Sequence, residues 1–333
     1  MDSIRLVIIE TDEKREGMRV FASLNASGMR LDSWELVMST FYSHCDSDIH
    51  RARVKQLFEV SLAAAYDVKH SSSKDSFLRS HWIGFHRFSQ MEDIFDEYND
   101  HLDSICKKDP TAIMPMLSLM SNSLEIYRAC DEPNRFKGNN GATDFGFLYP
   151  LKLVGDKMSR SILLAAHHIL SQSGPAARLD GLKRLVFAFE RLRMRLHFCR
   201  MPAAKFERPF SKLAIAISKG ELGSDPIELE KNVYKFLGSL DGLPTKDALR
   251  MGVKQYEFED NRVCQFILSK IQHSMQYGAQ GRPLMYQFMP EMNSAGFQFA
   301  KGIKQESKDW STTVQQRYGF RSEEQFNQLI NSI

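Results

Sequence analysis

Apolar residues recur at intervals of three and four along most of the chain, which is the spacing of one face of an α-helix. Trp34 and Phe41 belong to one such face. Asp32 is followed three residues later by Glu35, a capping-box pattern in which each side chain accepts a hydrogen bond from the backbone N–H of the other residue. The pattern predicts a helix that begins near Ser33.

The same periodicity predicts further helices around residues 51–65, 91–107, 111–129, 157–171, 179–199, 207–219, 226–237 and 260–277. Loops are predicted where Ser, Gly, Asn or Pro cluster, at residues 71–73, 137–141, 173–175 and 238–244. One short β-branched run, residues 5–10 (R-L-V-I-I-E), predicts a strand. A lone strand requires a sheet supplied from elsewhere. We therefore predict a mainly α fold with a short residual strand at the N-terminus.

Composition narrows the class of protein. The chain is 43% hydrophobic and 26% charged, which is typical of a folded protein, and its length of 333 residues suggests about two domains or one large domain with appendages at its ends. The net charge is only +3, so any nucleic-acid surface must come from local clustering. Five cysteines without a C-x-x-C pair argue against a disulfide framework and a zinc site. With no long apolar span and no signal-peptide pattern, we expect a cytoplasmic protein that does not enter the membrane.

The most basic segment, residues 183–200, combines apolar positions at helical spacing with a set of cations. Arginine binds phosphate through a planar, multidentate donor group, so this segment is a candidate DNA contact. The candidate residues are Arg184, Arg191, Arg193, Arg195 and Arg200. The alternative is an amphipathic core helix whose arginines pair with carboxylates.

The other sequence patterns do not point to a metal site or a catalytic site. His167 and His168 are adjacent, and neighbouring residues on a helix point about 100° apart, so the pair does not predict a metal site. His81 and His86 fit aromatic packing better than metal binding. Neither a G-x-S-x-G elbow nor a P-loop or dinucleotide-binding motif occurs in the sequence. No catalytic or metal-binding residue is predicted from these patterns.

Residues 20–36, V-F-A-S-L-N-A-S-G-M-R-L-D-S-W-E-L, resemble the signature that closes the ParB-like N-terminal domain of GmrSD-type restriction enzymes. The positions that carry the resemblance are Phe21, Asn25, Gly28, Leu31 and Glu35. Taken on their own, these residues have a structural reading, as helix anchors, a turn and a helix start. The resemblance implies a long central helical domain that follows this signature.

Residues 286–290, Y-Q-F-M-P, resemble the E-H-I-x-P motif that opens the HNH-type nuclease domain of that family. Pro290 is retained, but Gln287 takes the place of the histidine that would act as general base, and an amide cannot accept that proton. The family's upstream D-G-Q-Q-R motif has no counterpart. The resemblance implies the tail of a ParB-like domain at 1–45, a central helical domain at 46–275 and an incomplete, degenerate nuclease-like segment at 276–333.

The family implies NTP-dependent, metal-assisted cleavage of foreign DNA in defence against phage. In this chain we expect no cleavage alone and no cofactor of its own. We expect DNA or a separately encoded chain carrying the missing domains as partners. The alternative is a non-catalytic helical protein-interaction module, in which the 16 methionines offer an adaptable contact surface or simply fill the core.

Overall fold

The computed structural model describes residues 32–62, 71–133 and 145–254. Within these ranges the chain is mainly helical and contains no strand, so the predicted mainly α class is confirmed. The predicted strand at 5–10 and the nuclease-like segment at 276–333 lie outside the described residues. The described part of the chain contains no helix long and apolar enough to cross a membrane.

The chain divides into two compact units. Among the described residues, the first unit comprises those up to residue 82 and those from 89 to 124. The second comprises residues 83–88 and those from 125 onward. Two helices, α3 and α5 below, contain a point of division.

The helices up to residue 131 are α1 (Ser33–Ser43), α2 (Asp48–Lys55), α3 (Ser71–Phe85), α4 (Ile94–Cys106) and α5 (Ile113–Asp131). A π-helical segment, Gln56–Leu62, continues α2. A 3-10 turn, Pro110–Ala112, precedes α5. The later helices are α6 (Tyr149–Leu153), α7 (Arg160–Leu170), α8 (Pro175–Phe198), α9 (Glu207–Ser218), α10 (Pro226–Gly238) and α11 (Lys246–Lys254).

In the first unit, α1 packs against α4 around a buried aromatic cluster. The ring centroid of Phe41 lies 5.4 Å from that of Phe58 and 6.3 Å from that of Tyr98. The buried Tyr98 hydroxyl donates to the carbonyl oxygen of Leu78 at 3.2 Å and is hydrogen-bonded to His81 Nδ1 at 3.0 Å. This buried polar group is therefore satisfied, as folding requires.

The predicted start of α1 is confirmed. The N–H of Asp32 donates to Glu35 Oε2 at 3.1 Å, which completes one half of the capping box. The carboxylate of Asp75 accepts from the N–H of Trp34 at 2.8 Å, so a second acid also covers this helix end. Burial raises the pKa of Asp75 to about 6, and the nearby carboxyl of Asp32 adds to the effect.

The second unit is built around α8, which is 24 residues long and contacts α6, α7, α10 and α11. Gly174, with a φ of 93°, and Pro175 at the first helical position start α8. Its buried face packs on the unit's core, where Phe189 lies 5.6 Å from Phe210 of α9 between ring centroids. A Cβ at Gly252 of α11 would lie 2.5 Å from the carbonyl oxygen of Phe198, so this close approach requires glycine.

Several boundaries differ from the prediction. The loop predicted at residues 71–73 is wrong, because α3 begins at Ser71, and α3 itself was not predicted. Serine is favoured at the N-cap of a helix as well as in loops, so a run of serines fits either a helix start or a loop. The short helices α6 and α11 were also missed. Helix α8 begins four residues before its predicted start, and the predicted helix at 260–277 and loop at 137–141 lie outside the described residues.

Candidate nucleic-acid interface

Four of the five candidate arginines lie in α8, and Arg200 follows its end. Arg200 is exposed and has a φ of 51°, in the left-handed region. The four helical arginines differ in what they contact. Two are held by carboxylates of the second unit, and two lie beside an open cavity.

Arg184 bridges two acidic residues. Its Nε donates to Asp180 Oδ2 at 2.7 Å, one turn earlier on α8, and its Nη1 donates to Glu230 Oε2 of α10 at 2.7 Å. The Glu230 residue is buried, whereas Asp180 is half-exposed. These two hydrogen bonds raise the pKa of the guanidinium, that to Asp180 most. Arg184 therefore ties α8 to α10.

Arg193 is directed toward the segment before α7. Its Nε lies 3.6 Å from Asp156 Oδ1, and its Nη2 donates to the carbonyl oxygen of Val154 at 3.4 Å. The Asp156 side chain is only 1% exposed and also accepts hydrogen bonds from the backbone N–H groups of Met158 and Ser159 and from the Ser159 hydroxyl. A buried carboxylate needs such partners, so the role of Arg193 in the fold is structural.

Arg191 and Arg195 lie one helical turn apart and line the same open cavity, with a volume of about 310 Å³. The guanidinium of Arg191 lies 5.6 Å from the centroid of the Phe187 ring. The Arg195 side chain makes no hydrogen bond or ion pair with any residue that the structure describes. Apolar and aromatic residues complete the wall, among them Leu192 of α8, Tyr234 and Leu237 of α10, and Leu243.

The hydroxyl oxygen of Tyr234 is covered, and within the described ranges it has no hydrogen-bond partner. What Tyr234 offers to the cavity is therefore the carbon surface of its ring. The cavity thus combines two cationic groups from α8 with an aromatic ring and leucine side chains. This combination fits a ligand with an anionic part and a flat apolar part.

The thiols of Cys199 and Cys130, both in the second unit, are not activated as nucleophiles. Burial raises the pKa of the Cys199 thiol, and the nearby Arg195 only partly opposes this effect. In the same unit, burial raises the pKa of the Cys130 thiol to about 12. Thiols with raised pKa values hold their protons at neutral pH and are poor nucleophiles. These residues do not provide a catalytic centre beside the cavity.

The adjacent histidines His167 and His168 have packing roles. His167 is buried, and burial, assisted by Arg178 and His168, lowers its pKa to about 4. His168 meets Phe85 edge to face, with ring centroids 5.6 Å apart. Over the ranges 32–62, 71–133 and 145–254, no group of three or more His, Cys, Asp or Glu side chains is placed to hold a metal ion.

Of the remaining candidate residues, only Glu35 lies within the described residues. Glu35 belongs to the capping box at the start of α1. The other positions of the two family motifs lie outside the described residues: Phe21, Asn25, Gly28, Leu31, Gln287 and Pro290.

The sequence indicates the arginines but not the residues that surround them. Tyr234, Leu237 and Leu243 lie about forty to fifty residues downstream of the arginines and carry no motif. The packing of α10 on α8 brings Tyr234 and Leu237 to the cavity, and Leu243 lines it from the segment that follows α10. Comparison of the chain with known proteins found no matching family model, no matching curated protein and no matching solved structure.

Proposed function

We propose that this chain contacts DNA through Arg191 and Arg195 of α8. The observation that carries the proposal is the presence of these two arginines, one turn apart, at one open cavity. Arg184 and Arg193 are engaged by carboxylates. Arg195 makes no ion pair with a described residue, so its guanidinium keeps its charge for an external anion, and arginine binds phosphate through a planar, multidentate donor group.

The biological setting is proposed from the sequence resemblance. The chain would be a diverged relative of GmrSD-type restriction proteins that serves phage defence without cleaving DNA on its own. The support is the replacement of the expected general-base histidine by Gln287. Cleavage would then require a separately encoded chain that supplies the missing motifs, together with its NTP and divalent metal.

The DNA contact is tested by fluorescence polarisation of a labelled duplex with the full chain at about 50 mM and 200 mM salt. We expect binding that weakens steeply with salt, because phosphate contacts release counterions. Arg195→Ala should weaken binding severalfold at the lower salt concentration. The matched control is Lys212→Ala, which removes one exposed charge from α9. No binding, or equal losses in the two variants, would refute the proposal.

The absence of autonomous cleavage is tested separately. The purified chain is incubated with modified and unmodified plasmid and Mg²⁺, with and without NTP. We expect intact plasmid in every reaction. Nicking or linearisation that persists through an independent purification would contradict this part of the proposal, since it would require a catalytic centre outside the two family motifs.

The second candidate function, a protein-interaction module, is favoured by two exposed apolar side chains. Ile227 of α10 is 63% exposed and Met251 of α11 is 53% exposed. Other methionines, Met116, Met120 and Met194, are buried and fill the core, so they offer no contact surface. If the duplex titration shows no binding, this candidate takes the place of the first.

A further inference from the structure

The cavity beside α8 has a more specific shape than contact with a DNA backbone requires. A duplex presents its phosphates on a convex surface, so arginines on an exposed helix face would suffice to bind it. Here Arg191 and Arg195 are set in a concavity that Tyr234 and Leu237 also line. A phosphate alone would make no favourable contact with the apolar part of this wall.

A nucleotide taken out of the base stack offers what this wall can bind. It carries an anionic phosphate and a flat ring on one compact unit, and proteins that bind single strands combine cationic grooves with aromatic side chains in the same way. The volume of about 310 Å³ is at the small end of ligand cavities, which limits the occupant to about one such unit.

The ring of Tyr234 is the feature that separates a base contact from a phosphate contact. Its hydroxyl oxygen is covered, so a ligand meets ring carbons rather than a hydrogen-bond donor. Stacking on an aromatic ring is tolerant of sequence because every base has an apolar face. The ring comes from α10 and both cations come from α8. The two kinds of contact can therefore be removed independently.

We propose that the cavity receives one unstacked nucleotide of a single strand, with its phosphate at Arg191 and Arg195 and its base against the ring of Tyr234. The inference rests on the proposed DNA contact and adds the form of nucleic acid that is bound. A free mononucleotide has the same chemistry, so the test must distinguish a nucleotide within a strand from a free one.

The test compares labelled oligothymidylate of twelve nucleotides, an abasic strand of equal length and a duplex, each titrated with the full chain at about 50 mM salt. We expect Tyr234→Leu to weaken oligothymidylate binding about tenfold, the loss of one stacked base. The same variant should change abasic-strand and duplex binding less than twofold. Tyr234→Phe, which keeps the ring, should restore the lost affinity. Thermal unfolding of both variants checks that the second unit remains folded.

Each contrary result has a distinct meaning. If Tyr234→Leu affects all three ligands equally, or none, the base contact is refuted. If Arg195→Ala still weakens duplex binding in that case, the proposed function survives without the inference. If no nucleic acid binds, both fail. Thymidine monophosphate that displaces the strand at a concentration near the strand's own Kd would refute a strand as the source of the nucleotide.

Discussion

Helix α8 carries two sets of arginines that differ in what their side chains contact. Arg184, Arg191 and Arg195 follow one another at spacings of seven and four, so they form one stripe along the helix. At the first position α10 presents Glu230. Farther along, it presents Tyr234 and Leu237 instead. The contrast shows that the side chains of the partner helix, rather than the arginine itself, determine what surrounds each arginine of the stripe.

Arg193 lies nine residues after Arg184, which places it on the opposite side of the helix. There it meets Asp156, whose side chain is almost wholly buried. The arginines therefore fall into a structural set, Arg184 and Arg193, and a cavity set, Arg191 and Arg195. Substitutions in the two sets should therefore have different effects on stability and on DNA binding.

Among the arginine substitutions, the largest expected loss of stability follows Arg193→Ala. The variant removes the cation beside the buried Asp156, which keeps its hydrogen bonds from Met158 and Ser159, so we expect the free energy of unfolding to fall by about 2 kcal/mol. Urea denaturation measures the change, with Lys212→Ala as the control. A loss as small as that of the control would remove Arg193 from the structural set.

A further α8 cation, Arg178, acts on the neighbouring helix α7. With burial, it lowers the pKa of His167 to about 4. Between this value and the ordinary histidine pKa of about 6.5, the unfolded chain binds a proton that the folded chain does not. Stability should therefore fall as the pH drops through this range, by up to about 3 kcal/mol at pH 4.

The pH effect is measured by urea denaturation at several pH values for the native chain and His167→Gln. The variant lacks the titrating group, so its stability should fall less between pH 6.5 and 4. Parallel pH profiles would show that His167 is not responsible.

Asp75, in the first unit, has the opposite effect on the pH dependence of stability. Its raised pKa means that the folded chain binds a proton between pH 6 and about 4 that the unfolded chain does not, so this group favours the folded state as the pH falls through that range.

The smallest expected effects compare two members of the same stripe. Arg184→Ala should cost about 1 kcal/mol of unfolding free energy, because it removes two hydrogen bonds, one of them to the buried Glu230. Arg195→Ala should cost less than about 0.5 kcal/mol, since its side chain makes no hydrogen bond or ion pair with a described residue and lies beside an open cavity. Thermal unfolding of the two variants in parallel measures the difference. Equal losses would remove the distinction between the sets.

Much of this arrangement follows from local sequence. The 3.6-residue periodicity predicts most helices, and the Asp32 and Glu35 pattern predicts the start of α1 because capping is decided within four residues. The loop predicted at the serines 71–73 is wrong because the local preferences of serine suit both loops and helix starts. Which arginines pair with carboxylates and which line the cavity could not be predicted from the sequence. Asp156, Glu230 and Tyr234 approach α8 only through tertiary packing.

The most direct test of the cavity set is the salt dependence of duplex binding by the double variant Arg191→Ala with Arg195→Ala. Its control, Lys212→Ala with Lys231→Ala, removes the same charge from exposed positions. Each lost phosphate contact lowers the slope of log affinity against log salt by about 0.9. We expect a slope reduced by about 1.8 in the arginine variant and nearly unchanged in the control. Equal slopes in the two double variants would contradict it.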